Sequence, residues 1–127
     1  MSDAARPLDG RRILIVEDEY IIAMEVKRWL VAAGAEVVGP VPSVNRALDL
    51  IEDASLDAAV LDVNLEGTAS YAIADRLAAD GVPYMFVTGY DDWSMPEAYR
   101  AAPRVAKPFT AQAFIKTLNG LVEGEAA

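Results

Sequence analysis

The stretch RRILIVEDEY, Arg11 to Tyr20, passes from four apolar residues, Ile13 to Val16, straight into three consecutive acids, Glu17, Asp18 and Glu19. An unbroken apolar run of this length suits a strand buried on both faces, as in a parallel sheet covered by helices. The acids at its end repel one another and need a reason. One reason is ordinary: acids in the first turn of a helix are favoured by the helix dipole. The other is chemical: a strand ending in paired acids holds them at a sheet edge, where a cation can gather them. The rest of the chain decides between the two.

Working outward, short β-type runs alternate with helical patterns along the chain. The predicted strands are Arg12–Val16, Glu36–Val38, Ala58–Asp62, Tyr84–Thr88 and Arg104–Ala106. Between them, Ile22, Val26, Trp29, Leu30 and Ala33 share one helical face, which places Trp29 in the core, and Gly34 follows as a stop. Val44, Ala47, Leu48 and Ile51 repeat the pattern behind a Ser43 cap. Ile73 and Leu77 do so before Gly81, and Phe114, Leu118, Leu121 and Val122 do so after Thr110. The connection DDWSMPEAYRAAPR is the poorest: Pro96 disfavours helical geometry at Met95, and Pro103 ends any helix there. A short, loosely held fourth helix is expected in it. This alternation predicts an α/β domain with a doubly wound, five-stranded parallel sheet, flavodoxin-like, because right-handed crossovers put helices on both faces.

Composition bounds the rest. At 127 residues and 54% apolar content the chain makes one domain with a sizeable core. The absence of cysteine excludes disulfides and thiolate metal sites. The absence of histidine excludes Ser–His hydrolysis, imidazole-ligated metals and a phosphohistidine on this chain. A formal charge of −9 with scattered cations argues against nucleic acid. No window approaches the roughly 20 apolar residues of a membrane span, and nothing resembles a secretory leader, so a cytoplasmic location is expected.

Ligands in doubly wound sheets collect at the carboxyl ends of the strands. The first predicted strand delivers Glu17 and Asp18 there, the third Asp62, the fourth Thr88, and the fifth Lys107. Singly, each has an ordinary role: a turn cap, a strand former, a surface cation. Together on one edge they fit phosphoryl transfer to a carboxylate. Mg²⁺ prefers carboxylate oxygens and relieves their repulsion. Glu17 and Asp18 would hold it, directly or through water, with Asp62 completing the site and acting as the nucleophile. Lys107 and Thr88 would take the remaining phosphoryl oxygens.

These residues resemble the receiver domain of bacterial two-component response regulators over nearly the whole chain. Glu17 and Asp18 correspond to the family's acidic pair, Asp62 to its phosphoacceptor, Thr88 to its switch hydroxyl, and Lys107–Pro108 to a lysine followed by a proline with a cis bond before it. The resemblance implies that the Asn64 main-chain carbonyl ligates the metal, and that the Asn64 and Tyr90 side chains tune the acyl phosphate. Gly89, Arg104 and Pro108 are further modulating positions. It also implies a phosphodonor, either a sensor histidine kinase or a histidine phosphotransfer protein, and an output of altered protein binding, phosphate relay or phosphate sink.

The departures are specific. Glu17 stands where most receivers carry aspartate, and Arg104 stands where most carry a switch aromatic. FVTGY with LDVNLEG is similar to the atypical receivers called the FATGUY group, although Val87 and Asp91 differ from that motif. Arg104 is expected to reach an acid on its own face or a partner, and the segment from Tyr90 to Ala102 to order on phosphorylation. Only a last helix fits after Lys107, so a single receiver domain is expected over residues 1–127, with its core at about 12–122, no output domain and a monomeric state. A Mg²⁺-dependent phosphatase of the haloacid-dehalogenase type is the alternative, weakened because Asn64 stands where such enzymes carry a second aspartate. A phosphorylation-independent binding module is the other. Trp93, near Thr88, is expected to report on the site.

Overall fold

The computed structural model describes residues 8–89 and 95–124. Its strands are β1 (Arg12–Val16), β2 (Glu36–Val41), β3 (Ala58–Asp62), β4 (Asn64–Leu65), β5 (Thr68–Ala69), β6 (Tyr84–Thr88) and β7 (Arg104–Ala106). Its helices are α1 (Tyr20–Ala32), α2 (Val44–Asp53), α3 (Tyr71–Ala79) and α4 (Ala111–Val122), with a 3-10 turn at Glu97–Tyr99. Five strands form one parallel sheet in the order β2-β1-β3-β6-β7. This is the flavodoxin-like arrangement expected from the alternation of patterns.

Successive strand residues face opposite sides of the sheet, and two cores result. Leu14, Val16, Ala59, Leu61 and Phe86 pack with Ala47 and Ile51 of α2 and Ile73 and Leu77 of α3. Ile13, Ile15, Val60, Met85 and Val87 pack with Val26 and Leu30 of α1 and Phe114 and Leu118 of α4. All of β3 is buried, which explains why its sequence lacks polar alternation. The helix starts follow the predicted caps: Ser43 Oγ accepts from Arg46 N, and Thr110 Oγ1 accepts from Ala113 N.

Three local features differ from the expectations. First, β2 does not end at Val38 but continues to Val41 through Gly39 and a cis Pro40. Gly39 has φ +94°, and a Cβ there would sit 3.0 Å from both Ile15 O and Val41 N, so only glycine fits beside β1. Second, β4 and β5 form a two-residue hairpin with positive φ at Glu66 and Gly67, the requirement of a type I′ turn. Third, the fourth helix is replaced among the described residues by the 3-10 turn. Pro96 is extended, at ψ 148°, so helical geometry begins only at Glu97, and Pro103 closes the segment seven residues further on. The turn is held to α3 by Tyr99, whose hydroxyl donates to Asp75, and its flanks to β7 by Arg104, which donates to Arg100 O and Met95 Sδ. Trp29 is half-buried and packs against the second core, its ring edge-on to Phe109 and tilted against the buried Phe114. Trp93 lies outside the described residues.

Candidate functional site

The carboxyl edge of the sheet is built from backbone upward. The extension of β2 lets Glu17 N donate to Val41 O at 3.0 Å, which fixes the chain as it leaves β1. Lys107 N donates to Thr88 O at 2.8 Å, which fixes it as it leaves β7. The peptide between Lys107 and Pro108 is cis, as the resemblance implies.

On this frame Glu17, Asp18 and Asp62 converge, each with a carboxylate oxygen within 4.8 Å of the others. Glu17 and Asp62 are buried, Asp18 half-buried. Neither Glu17 nor Asp18 lies within α1, whose first turn holds no acid and whose N-cap is Glu19, so the helix dipole does not account for the pair at the strand end. Lys107 Nζ donates to Glu17 Oε2 at 3.3 Å and to Asp62 Oδ2 at 3.2 Å. It also donates to Glu19 Oε1 at 2.5 Å. Burial, and then the neighbouring Asp62 carboxylate, push the Glu17 carboxyl up to about 8. Burial likewise raises the Asp62 carboxyl, against the opposing pull of its hydrogen bonds and of Lys107. Burial by itself would lower the Lys107 ammonium, but the carboxylates of Glu19, Glu17 and Asp62 outweigh it and hold the ammonium above its ordinary value.

The other predicted residues are placed as follows. Asn64 N donates to Asp62 Oδ1 at 3.2 Å, while the Asn64 side chain accepts from Gly67 N at 2.8 Å inside the hairpin. Thr88 is buried, and its hydroxyl donates to Val105 O at 3.4 Å, across to β7. Gly89 and Pro108 line a recess of about 450 Å³ beside Lys107, together with Ile22, Trp29 and Phe109. Tyr90 lies outside the described residues. Among the described residues the Arg104 guanidinium grips the backbone and a sulfur: it donates to Arg100 O at 2.9 Å and to Met95 Sδ at 3.3 Å. Glu19 is the participant that sequence reasoning did not assign. Its place in the acidic run was the available signal, but the partner 88 residues away is supplied only by the fold.

The donor set is made of hard carboxylate oxygens, with no nitrogen or sulfur ligand among the described residues. It fits Mg²⁺, which takes oxygen ligands and needs few of them from protein.

A doubly wound sheet with a buried aspartate, two further acids and a lysine at its carboxyl edge is the architecture of a signalling domain built around one carboxylate. The chain belongs to the receiver-domain family of response regulators: the family model described as response regulator receiver domain matches residues 13–119. It is similar to the transcriptional regulatory protein PdtaR of Mycobacterium tuberculosis, 30% identical over 122 residues, which cover 93% of this chain and 58% of that protein. The chain thus spans little more than half the length of that curated relative. Among solved structures it is similar to SdrG from Sphingomonas melonis Fr1, with 42% identity, a TM-score of 0.81, and coverage of 89% of this chain and 97% of that one. The BeF₃-activated conformation of SdrG matches with 42% identity and a TM-score of 0.76, over 87% of this chain and 95% of that one. Receiver domains serve two-component signalling, typically bind Mg²⁺ in an acidic pocket, and interact with histidine kinases or phosphotransfer proteins and with downstream targets. No helix among the described residues is long and apolar enough to cross a membrane.

Proposed function

We propose that the chain accepts a phosphoryl group on Asp62 from a phosphohistidine donor, a sensor kinase or a phosphotransfer protein, and signals by altered protein binding or onward relay. The observation that carries this reading is the Asp62 carboxylate, buried at the end of β3, with Lys107 Nζ 3.2 Å from Oδ2 and Asn64 N 3.2 Å from Oδ1. A carboxylate so held is oriented for attack on phosphorus. One Asp62 oxygen forms the new P–O bond as the P–N bond to the donor imidazole breaks, and the imidazole leaves with the bonding electron pair. Lys107 meets the charge on the phosphoryl oxygens, and Thr88, by turning from Val105 O, would offer its hydroxyl to another. Glu17, Asp18 and Asp62 would hold Mg²⁺, which when bound would supply the charge neutralisation that an anionic phosphoryl group needs in an acidic pocket. The Asn64 main-chain carbonyl would be a further ligand. The apolar recess beside Lys107 supports approach of a partner's side chain from that direction.

The output is read from Arg104. Most receivers carry a switch aromatic there, whereas Arg104 ties the 3-10 turn to β7, next to the carbonyl that Thr88 engages. Movement of Thr88 would therefore disturb the strand that anchors the turn. The BeF₃-activated form of SdrG supports an activatable site of this kind in a similar chain.

The test is incubation with acetyl phosphate or phosphoramidate, with and without Mg²⁺, read by intact mass. A Mg²⁺-dependent gain of one phosphoryl group, absent in Asp62→Asn, is expected. Continuous turnover of phosphate esters without a stable adduct would instead point to a phosphatase.

A further inference from the structure

Lys107 has three carboxylate partners, and they are not equivalent. Glu17 and Asp62 are buried and belong to the acid cluster that fits a divalent cation. Glu19 does not belong to it. Its side chain is 57% exposed, stands at the N-cap of α1 without capping it, and accepts from Lys107 Nζ on the outer side of the cluster. Two of the three carboxylates bonded to the ammonium are therefore carboxylates that a cation would need. The third is not.

An ammonium and a dication cannot share the same carboxylate oxygens without strong repulsion. When the cation arrives, Lys107 must give up part of its hold on Glu17 and Asp62 while staying near enough to meet a phosphoryl oxygen. A lysine with no other anchor would either compete with the cation or swing into water. We propose that Glu19 is a positioning residue that parks Lys107, drawing the ammonium to the outer edge of the cluster so that the cation can occupy Glu17 and Asp62. The inference rests on the metal reading given above. It assigns a role to the third acid of the run, which that reading leaves unused.

Parking differs from simple attraction of the cation by one more negative charge. A parking role works through Lys107 and depends on reach, whereas through-space attraction depends on neither. The experiment is a double-mutant cycle in Mg²⁺ affinity, titrated by calorimetry at fixed pH and ionic strength, with wild type, Glu19→Gln, Lys107→Met and the double variant. Glu19→Gln is expected to weaken Mg²⁺ binding roughly 3- to 5-fold, the size of a partly exposed ion pair. In the Lys107→Met background the same change is expected to have an effect under about 2-fold. Glu19→Asp retains the charge but shortens the side chain by one methylene, and it is expected to weaken binding much as Glu19→Gln does. Equal effects of Glu19→Gln in both backgrounds, or a Glu19→Asp variant indistinguishable from wild type, would overturn parking in favour of bulk charge. If the wild type binds no Mg²⁺ at millimolar concentration, the metal reading itself fails and this inference falls with it. Near-ultraviolet circular dichroism of each variant confirms that differences arise in folded protein.

Discussion

Tyr99 lies flat against Tyr71, with ring centroids 4.3 Å apart and planes 8° from parallel, and its hydroxyl donates to Asp75 Oδ1 at 2.8 Å. The two rings come from different elements, the 3-10 turn and α3, and both meet Phe86 of the central sheet edge-on. The stack thus fastens a proline-bounded segment with little helical potential of its own. Replacing Tyr99 by Ala is expected to cost about 2 kcal/mol, from lost apolar burial and ring stacking. Tyr99→Phe removes only the exposed hydrogen bond and should cost about 0.5–1 kcal/mol. Urea denaturation measures both. Equal losses would mean that the hydroxyl, not the stack, holds the turn.

Arg104 fastens the same turn from the other side, through Arg100 O and Met95 Sδ, while Arg100 Nε donates to Met95 O at 2.8 Å. Arg104→Ala removes two of these three contacts. Amide exchange over the described residues from Met95 to Arg100 is expected to quicken roughly 5- to 10-fold, since about 1–1.5 kcal/mol of local stability is lost. Amides of β3 should keep their protection. A uniform increase across the sheet would show that Arg104 contributes to global stability instead.

How far the sequence reaches can be judged from these residues. Glu17, Asp18, Asp62 and Lys107 were legible because each falls within two residues of the end of an apolar run, and a parallel sheet brings all such positions to one edge. Glu19 has the same composition signal but lies three residues past the strand, and its contact with Lys107 depends on how α1 begins. The end of β2 was missed because glycine and proline both read as strand breakers. The fit of Gly39 against Ile15 O exists only once β1 is alongside. The tie between Tyr99 and Tyr71 is likewise tertiary, and local propensity favours nothing there.

Gly39 itself gives a direct test. Gly39→Ala would force a Cβ to 3.0 Å from Ile15 O and Val41 N, backbone atoms of the two strands that position Glu17, at a φ of +94° that disfavours any side chain. A loss of roughly 2–4 kcal/mol is expected, the sum of backbone strain and a steric clash with atoms that cannot turn aside. Gly67→Ala is the control. Its φ is +90°, but nothing lies within 4 Å of the added Cβ, so strain alone should cost about 1 kcal/mol. Similar costs for the two would mean that the strand pair yields without penalty.

The raised carboxyl of Glu17 makes stability depend on pH in a defined direction. In the folded chain this group loses its proton near 8, against an ordinary value of 4.5, so between those values the native state keeps a proton that the unfolded chain has released. Stability of the metal-free protein is therefore expected to fall as pH rises through that window, with Glu17 contributing at most about 1.4 kcal/mol per pH unit. Asp62, raised by burial, acts in the same direction. Lys107 is raised too, but a cation of that kind loses its stabilising contribution only above its ordinary value of 10.5, outside the window. Mg²⁺ favours the ionised carboxylates and should flatten the dependence or reverse it. Urea denaturation at a series of pH values, in EDTA and in saturating Mg²⁺, measures both slopes, and Glu17→Gln should flatten the metal-free one. A metal-free stability that climbs from 4.5 to 8 would mean that burial does not dominate at Glu17, and that Lys107 already compensates the acid cluster in full.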